Sequence, residues 1–473
     1  MTMKRRTFLL GTVSGLSMTA LSACTPEPPQ PKPTITNTRS RIPAPAEFRR
    51  ASWSTDPFSR GSFSYQAVGS TPEHRVALRQ PVGGRIFFAG EHTSDGDPGT
   101  VQGAEASGHR VATEIDVMAD PGDRVAIVGA GIAGATAARR LSDAGFSVVV
   151  IEGRDRSGGR IHTVKDDKGR TPIELGAAWV RDSSGNDLVE ELTGLGIASS
   201  RFDYRAESRA LDGAVLTPST VGPDAVTAAI GWAALQPADL SIADAVSDSG
   251  ASKLSSTPDA DGVSDLDRLA SFLTTDVVIA AGAEAERLSS WYATDPTLGH
   301  DDDRLVLGEY QKLIDDRLEG LDILPTSTVS SVIHSDKGVS LRLARGESLS
   351  ADRVVITVPL GVLKSDSIEF DPPLPFAHRG AIAALGMGMQ DKLVLRFDKP
   401  FWSTDATVWT VVGDGVDFPL WFNAEPLTGE PVLIALTGGD DAVRLAGLSD
   451  QKLIDAALMS LEPFADPEPA GGG

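Results

Sequence analysis

The sequence predicts an α/β fold in which a dinucleotide-binding domain, with a parallel or mixed sheet, forms around a glycine-rich turn. A short β-branched run, Arg124–Val128, leads into a GxGxxG turn, and a helical pattern follows through Ala144. Gly145 stands where a helix commonly ends, and Phe146–Ile151 is typical of a second buried strand, which Glu152 terminates. The glycines of the turn are Gly129, Gly131 and Gly134.

This strand–turn–helix–strand pattern suits a dinucleotide because of the backbone it exposes. Glycines let backbone N–H groups approach a pyrophosphate at a helix N-terminus, and an acid at the tip of the second strand accepts from ribose hydroxyls. A GxGxxG turn alone would be weak evidence, but here both strands, the helix and the acid stand in register. The residues expected to contact the cofactor are Gly129, Gly131, Ile132, Ala133, Gly134 and Glu152.

The segment after the second strand indicates which dinucleotide binds. It reads Glu152-Gly-Arg154-Asp-Arg156-Ser-Gly158-Gly159-Arg160 and closely resembles the signature of the flavin amine oxidase family, which includes monoamine oxidases, polyamine oxidases and lysine-specific histone demethylases. The resemblance implies FAD, with Arg154 and Gly159 close to the cofactor. It also implies that Arg160 offers a charge-assisted fork to the flavin phosphates.

A second motif resembles the family segment beside the isoalloxazine ring. It reads Glu174-Leu-Gly176-Ala177-Ala178-Trp179, with glutamate where the family carries aspartate. Farther on, Thr328–Ile333 is similar to the strand whose backbone meets the adenine, with Val329 in the contacting position. The resemblance covers nearly the whole chain and is weakest over residues 200–300. It adds Gly176, Ala177, Ala178, Trp179 and Val329 to the expected cofactor contacts.

The segment from Pro372 to Trp402 is similar to the family segment that carries the active-site lysine, here Lys392. The resemblance implies that this lysine lies near flavin N5 through a water, where burial would lower its pKa and let it relay protons. The alternative is an ordinary strand lysine that faces solvent.

Tyr65 matches an aromatic residue that flanks the substrate amine in the family and stabilises its residual cationic character. The alternative is that Tyr65 and Phe63 are plain strand core. The opposite position is Val101, where monoamine oxidases carry a second tyrosine, so a two-tyrosine cage is not expected.

The family's flavin-capping C-terminal segment lies at the start of this chain instead. It is represented in order by Trp53–Tyr65, Arg85–Thr93 and Gly99–Gly108, whereas in relatives it follows the helix represented here by Leu448–Leu461. The chain therefore resembles a circular permutant whose old termini are joined by Val117–Asp123, because domain termini often lie near one another. A duplicated chain would leave a second copy of the segment, and the sequence contains none.

The capping segment supplies the remaining expected cofactor contacts. The resemblance implies that Glu91 accepts hydrogen bonds near the ribityl or pyrophosphate group. It also implies that the helix from Val101 points its N-terminus toward the flavin O2/N1 edge, where anionic charge collects on reduction. The contacts expected from this segment are Gly90, Glu91, Thr100 and Val101.

The predicted architecture is a Rossmann-like FAD-binding domain interleaved with an α+β substrate-binding domain in a circularly permuted order. The predicted boundaries are 1–23 for a signal peptide, 24–52 for a lipidated cysteine and proline-rich linker, 53–116 for the capping segment, 117–205 and 304–365 for the FAD-binding domain, 206–303 and 366–463 for the substrate domain, and 464–473 for a flexible tail.

The composition excludes several other functions. The 473 residues include 65 acidic and 43 basic side chains, for a formal net charge of −22. Nucleic acid is not an expected partner, because a phosphate-backbone binder needs a basic face. A single cysteine allows neither an intrachain disulfide nor a cysteine zinc cluster, and no His/Asp/Glu spacing indicates a metal. The histidines His92, His109 and His162 are expected to be structural or solvent-facing.

The first residues are typical of an export signal. Lys4-Arg5-Arg6 precedes the uncharged stretch Thr7–Ala23, which is shorter than the ~20 residues that span a bilayer. The paired arginines resemble a twin-arginine signal, and Leu21-Ser-Ala-Cys24 resembles a bacterial lipobox. We therefore expect an exported protein of the bacterial cell envelope, on the outer side of the cytoplasmic membrane, whose only membrane contact is lipid on Cys24. The alternative is an ordinary signal in which the cysteine falls by chance.

Three functions are consistent with these observations. The first is a lipid-tethered FAD-dependent amine oxidase that acts on a small amine and O2 and gives imine or aldehyde, H2O2 and ammonia or amine. The second is an L-amino-acid oxidase of the same fold, which needs an arginine paired with the substrate carboxylate. Candidates for that arginine are Arg201, Arg205 and Arg209. The third is a non-catalytic flavin-binding lipoprotein, against which the presence of Lys392 and Tyr65 argues.

We predict that the FAD is bound non-covalently. Some family members attach the flavin through a cysteine just before the region of Tyr65, whereas this chain has Gly61-Ser62-Phe63 there and carries its single cysteine in the signal. Acid precipitation should release the flavin into the supernatant. Yellow colour that stayed with the protein pellet would contradict the prediction.

Overall fold

The computed structural model describes residues 40–94, 96–165, 168–181, 187–293, 299 and 302–466. The predicted signal peptide, Cys24 and most of the proline-rich linker lie outside these residues, as does most of the predicted tail. Across the described ranges, no helix is long and apolar enough to cross a membrane.

A five-stranded sheet with all neighbouring pairs parallel forms one half of the molecule. The predicted first strand is central and pairs on one side with the predicted second strand, in the register Val125 to Val148. Three of the strands are buried on both faces over nearly their whole length, as expected when helices cover a parallel sheet. In spatial order they are Asp322–Leu324, Ser147–Ile151, Arg124–Val128, Arg353–Ile356 and Ile86–Phe88.

The helix Val101–Met118 packs closely on the helix Ile132–Asp143, which follows the glycine-rich turn. Their contact depends on Gly108, where a Cβ would lie 2.4 Å from the carbonyl oxygen of Ala133. The first helix ends at Met118, two residues past the predicted end of the capping segment. A turn at residues 121–122 then leads directly into the first parallel strand, so the predicted join is short and regular.

A six-stranded sheet forms the centre of the second half. All its neighbouring pairs are antiparallel except the last, which is parallel. The fully buried Trp409 and Trp421 belong to it, and Trp409 stacks on Phe464 at 4.6 Å between ring centroids. Its strands in spatial order are Glu47–Arg50, Gln390–Arg396, Val432–Gly438, Leu420–Asn423, Val408–Val412 and Ala206–Ala210.

The predicted linker at 24–52 is wrong in its last part. Glu47–Arg50 is an edge strand of the six-stranded sheet, antiparallel to Gln390–Arg396. Its Glu47 carboxylate forms ion pairs with Arg170 and Arg396, which explains why a charged segment becomes sheet instead of spacer. The chain is tied down earlier still, because Ser40 and Arg41 donate to the carboxylate of Glu462.

Two other predicted boundaries cut through sheets. The strand Asp303–Val306 pairs with both Trp179–Arg181 and Ser199–Arg201, so the division between residues 303 and 304 falls inside a three-stranded sheet. Glu369–Asp371, assigned to the substrate domain, instead pairs with Val329–Ser335. The remaining strands are Gly338–Leu343 and Ser348–Ala351, which complete that sheet, and the two-stranded pairs Phe63–Tyr65 with Gly386–Gly388 and Thr163–Val164 with Ile173–Glu174.

Helices from the least recognisable part of the sequence cover one side of the second half. A π-helix, Leu273–Val278, continues directly from Asp265–Phe272 and into Ile279–Ala281. Such insertions are frequent at functional sites. The other α-helices are Pro72–Leu78, Leu188–Gly194, Val221–Ala233, Ile242–Asp248, Gln311–Leu318, Leu360–Leu363, Phe376–Ala384, Glu425–Thr428, Gly439–Ala446 and Asp450–Leu461, with 3-10 turns at Glu91–Thr93 and Glu462–Phe464.

Candidate active site

A continuous cavity of about 850 Å3 lies where the two halves meet. Its wall includes the ends of two parallel strands, at Val128 and Ile151, and residues from the facing six-stranded sheet, at Lys392 and Phe422. The volume is in the upper part of the range of ligand pockets, so the cavity can hold a large cofactor together with a small substrate.

The structure brings nearly all the predicted site residues to this one cavity. The lining residues among them are Tyr65, Gly90, Glu91, Thr100, Val101, Gly129, Gly131, Ile132, Ala133, Glu152, Arg154, Gly159, Arg160, Gly176, Ala177, Ala178, Trp179, Val329 and Lys392.

Gly134 is the exception and does not line the cavity. A Cβ on Gly134 would lie 2.0 Å from the carbonyl oxygen of Gly129 and 3.0 Å from Oγ1 of Thr357. Gly134 therefore lets the helix pack closely against the preceding turn, and the structure does not place it among the cavity-lining residues.

The glycine-rich loops leave room for a ligand because their glycines carry no side chains that would keep it away from the backbone. Gly129 has φ +112° and Gly159 has φ +60°, conformations that favour glycine. Gly131 is the N-cap of the helix Ile132–Asp143, whose first N–H groups have no partner within the helix. The cavity therefore has backbone donors and a helix N-terminus on the same side, the arrangement that binds a pyrophosphate.

Glu152 is held with both carboxylate oxygens engaged. Oε2 accepts from the backbone N–H of Ala130 and Oε1 from that of Arg154, each at 2.8 Å. The Arg154 guanidinium in turn donates to Asp56 and Ser59 of the N-terminal segment. Each oxygen keeps a lone pair, so the carboxylate can still accept from a ribose hydroxyl.

Glu91 joins three parts of the chain around a buried carboxylate. It accepts from the backbone N–H and hydroxyl of Ser64, from the N–H of Gly99 and from Arg160 at 2.9 Å. Burial alone would raise its pKa, but the charges of Arg160 and Arg75 and the hydrogen bonds from Ser64 lower the pKa of Glu91 to about 2. Arg160 is thus committed to Glu91 and to the carbonyl of Ser62 at 2.7 Å, in addition to any phosphate it meets.

The helix expected to point at the flavin begins at the cavity. Thr100 is its N-cap and accepts from the N–H of Gly103 at 3.0 Å, and Val101 is its first residue. Both residues line the cavity, so the positive end of this helix faces the ligand space.

Lys392 is buried, so the alternative of a solvent-facing strand lysine does not hold. Its Nζ donates to the carbonyl oxygens of Glu174 at 2.8 Å and Gly176 at 2.6 Å and lies 5.4 Å from the ring centroid of Trp179. Burial lowers the pKa of Lys392 to about 8, against the opposing effect of the Glu174 charge. The amine therefore titrates close to neutral pH while its position is fixed by two carbonyls.

Tyr65 stands in the cavity wall on a strand paired with Gly386–Gly388. A Cβ at Gly386 would lie 2.2 Å from its ring, so the absence of a side chain there makes room for the aromatic group. Burial raises the pKa of the phenol, which stays neutral. Val101 also lines the cavity.

The model of the family described as flavin containing amine oxidoreductase matches residues 29–116 and 132–471. The chain belongs to the flavin-containing amine oxidoreductase family. The expected FAD cofactor and the expected class, an FAD-dependent amine oxidase acting on amine donors, are thereby confirmed.

Relatives in this family cover about three quarters of the chain. Polyamine oxidase 4 of Oryza sativa subsp. japonica is 32% identical, over 72% of each chain, and Polyamine oxidase 2 of Arabidopsis thaliana is 31% identical over 72% of this chain and 71% of its own. A solved putrescine oxidase bound to putrescine aligns with a TM-score of 0.56 and 23% identity, over 74% of this chain and 83% of that one. The structural match confirms the mixed α/β amine oxidase fold.

Much of the cavity wall away from the glycine-rich loops was not predicted. Tyr204, Phe422, Val277 and Leu288 line it, and the hydroxyl of Tyr204 donates to Asp303 at 2.9 Å. Apolar residues in a strand such as Leu420–Asn423 read as ordinary core, so no sequence pattern marks them as ligand-facing.

The arginines considered for a substrate carboxylate do not line the cavity. Arg205 forms ion pairs with Asp203 and Asp405, and Arg209 pairs with Glu207. Arg201 lies on the strand Ser199–Arg201, also outside the cavity wall. The structure therefore does not bring any of these three side chains to the cavity.

The described part of the chain contains no group of three or more His, Cys, Asp or Glu side chains that could hold a metal ion. His92 is buried, and burial lowers its pKa to about 4, so the ring is neutral at pH 7. His162 is also neutral, because burial lowers its pKa to about 4.

We predict that Glu91→Gln destabilises the protein by about 3–5 kcal/mol at pH 7, because it leaves the Arg160 and Arg75 charges without their buried partner. Asp405→Asn, in a pair where the Asp405 side chain is 87% exposed, should change the free energy of unfolding by about 0.5 kcal/mol or less. Urea denaturation at pH 7 measures both.

The lowered pKa of Glu91 also predicts how the stability difference between wild type and Glu91→Gln depends on pH. Glu91 ionises at about pH 2 in the folded protein against 4.5 ordinarily, so its contribution is complete above 4.5 and is lost as the pH falls toward 2. The difference between wild type and Glu91→Gln should therefore shrink below pH 4.5. A difference that stayed constant with pH would show that packing, not charge, accounts for it.

Proposed function

We propose that this enzyme oxidises an aliphatic diamine or polyamine at the carbon next to a nitrogen. The observation that carries the proposal is the single cavity that joins the glycine-rich loops to Lys392 and Tyr65. The polyamine oxidases among its relatives and the putrescine-bound structural neighbour support an aliphatic amine. The absence of the three candidate arginines from the cavity wall favours an amine without a carboxylate over an amino acid.

In this reaction, different residues of the chain would bind the cofactor and orient the amine. Bound FAD supplies the hydride acceptor and passes the electrons to O2. The glycine-rich loops, Glu152 and the helix at Val101 would hold the cofactor. Tyr65 and the apolar wall formed by Phe422 and Leu436 would exclude water and orient a neutral amine, because a protonated nitrogen cannot support loss of hydride from the adjacent carbon.

Lys392 would hold and move a proton at Nζ during reoxidation. Two carbonyl oxygens accept hydrogen bonds from Nζ, and the pKa of about 8 lets Lys392 exist in both protonation states at neutral pH. A proton-transferring group works best when its pKa is near the operating pH.

We also propose that the parallel sheet is a Rossmann-like FAD-binding unit assembled from a circularly permuted chain. The strand Ile86–Phe88 forms its edge beside Arg353–Ile356, although it comes first along the sequence. The family model matches in two blocks, residues 29–116 and residues 132–471. The N-terminal block contributes Glu91 and Tyr65 to the same cavity.

The permutation can be tested by moving residues 40–116 to follow residue 466 through a flexible linker. The rearranged chain should bind FAD and show amine-dependent bleaching, because every contact around the cavity is retained. A rearranged chain with the same segment in scrambled order is the control and should not bind FAD. Loss of FAD binding in the rearranged chain, with folding intact by circular dichroism, would contradict the proposal.

Anaerobic mixing with amines tests the proposed substrate class. Putrescine, spermidine and spermine should bleach the flavin absorbance, whereas arylalkylamines and L-amino acids should bleach it much more slowly. No bleaching with any amine, from protein carrying a full complement of FAD, would refute the proposal.

Lys392→Met tests the role of the lysine in the same assay. Anaerobic bleaching should persist, while reoxidation by O2 should slow by about 100-fold, in the range of a lost proton-transfer group. FAD affinity should change far less. Equal losses in reoxidation and in FAD affinity would make the lysine structural.

A further inference from the structure

Glu174 lies directly behind Lys392 and contacts it without lining the cavity. Its backbone carbonyl accepts from Nζ of Lys392 at 2.8 Å. Its carboxylate Oε1 accepts from the hydroxyl of Thr163 at 2.7 Å and from the backbone N–H of Tyr310 at 3.0 Å. One residue therefore holds the lysine through its main chain and is itself anchored through its side chain.

The other carboxylate oxygen, Oε2, is buried and has no hydrogen-bond partner within the described part of the chain. Glu174 is 6% exposed, so its charge is little screened by water. Burial raises the pKa of Glu174 to about 7, although the hydrogen bonds from Thr163 and Tyr310 and the charge of Lys392 act in the opposite direction. A charge in such a place needs a nearby opposite charge.

The groups that face this carboxyl come from three elements. The strand Gln390–Arg396 contributes Lys392, which is positive. The start of the helix Gln311–Leu318 contributes Tyr310 and the negative Glu309, whose own carboxylate pairs with Lys165 at 2.5 Å. Thr163 contributes a neutral hydroxyl. Lys392 is therefore the positive charge that acts on Glu174, and Glu174 in turn favours the charged form of Lys392.

The loop that connects these contacts has little freedom. Gly176, whose carbonyl is the second acceptor for Nζ, sits so close to Arg160 that a Cβ would lie 1.7 Å from the Arg160 carbonyl oxygen. The Glu174 carboxylate fixes one end of this loop to the start of the helix Gln311–Leu318. A shift of that end would move both carbonyls that hold Lys392.

We propose that Glu174 is a positioning residue for Lys392: its carboxylate fixes the loop that holds Nζ and, when ionised, favours the charged form of the lysine. The consequence for catalysis rests on the proposed role of Lys392 in reoxidation. The charge coupling between Glu174 and Lys392 does not rest on that role, because it involves only these two side chains.

Glu174→Gln is the informative variant, because the amide keeps an acceptor oxygen for Thr163 and Tyr310 and removes the charge. The matched control is Asp391→Asn, which makes the same change in the residue next to Lys392. Asp391 is buried and does not itself line the cavity, and its side chain accepts from the backbone N–H of Trp53 at 2.7 Å. Glu174→Asp retains the charge and is the conservative rescue.

The first measurement is the ionisation of Lys392 itself in the holoenzyme. Protein labelled with 13C at the lysine ε-carbon is titrated by NMR, and the Lys392 signal is assigned by its loss in Lys392→Met. The titration midpoint should fall by about one pH unit in Glu174→Gln, because removing an opposite charge disfavours the ammonium. It should be unchanged in Asp391→Asn. An unchanged midpoint in Glu174→Gln would overturn the proposal.

The second measurement is the pH profile of reoxidation by O2 after photoreduction, which uses no amine. Its midpoint should move with that of Lys392, by about one unit toward acid in Glu174→Gln. If the NMR midpoint moves and the reoxidation profile does not, the charge coupling stands and the proposed role of Lys392 fails. Failure of every amine to bleach the flavin would instead count against the proposed substrate and leave both midpoints interpretable.

The proposal can also be tested if Glu174→Gln fails to fold correctly. If Glu174→Gln fails to bind FAD while Glu174→Asp binds it and keeps the wild-type midpoint, the negative charge is required and the proposal holds. If Glu174→Asp fails in the same way, the residue acts by shape and packing, and the proposal is overturned.

Discussion

The buried carboxylate of Glu91 is the interaction on which the assembly of the site depends. It collects the N–H and hydroxyl of Ser64, the N–H of Gly99 and the guanidinium of Arg160, so it joins two parts of the N-terminal segment to the glycine-rich loop of the parallel-sheet half. These groups would otherwise be unsatisfied donors at the edge of a cavity. Because a buried charge is tolerated only with such partners, the ion pair fixes how the N-terminal segment closes over the cofactor space.

The same segment is tied at several other points. Arg154 donates to Asp56 and Ser59, the backbone N–H of Trp53 donates to Asp391, and Glu47–Arg50 extends the six-stranded sheet. Each contact crosses a long separation in sequence. A chain that begins with this segment can therefore place Tyr65 and the helix Val101–Met118 at the cavity as securely as one that ends with it, since the contacts do not depend on which end is joined.

The part of the cavity wall around Lys392 is held together by close approach of backbone segments and not by a buried ion pair. Gly176 and Gly386 lack the Cβ atoms that would clash with Arg160 and Tyr65, respectively. This allows two carbonyls to reach Nζ of Lys392 and an aromatic ring to stand beside the ligand space. Burial then moves the pKa of the lysine to about 8. The lowered pKa of this lysine is thus a consequence of packing.

The sequence alone determined the glycine-rich turn, the flanking strands and Glu152, because these depend on local backbone geometry that only glycine and a terminal acid satisfy. It also identified those cavity residues that lie in recognisable motifs, including Lys392 and Tyr65. Their expected positions beside the cofactor came from the resemblance to a family. It misjudged the strand Glu47–Arg50, and it did not show that Gly134 and the three arginines lie outside the cavity wall. It also gave no sign of Tyr204, Phe422 or the charge relation of Glu174 and Lys392. Those features are decided by contacts between residues far apart in the chain, where burial and partner charge depend on packing and leave no pattern in the order of the amino acids.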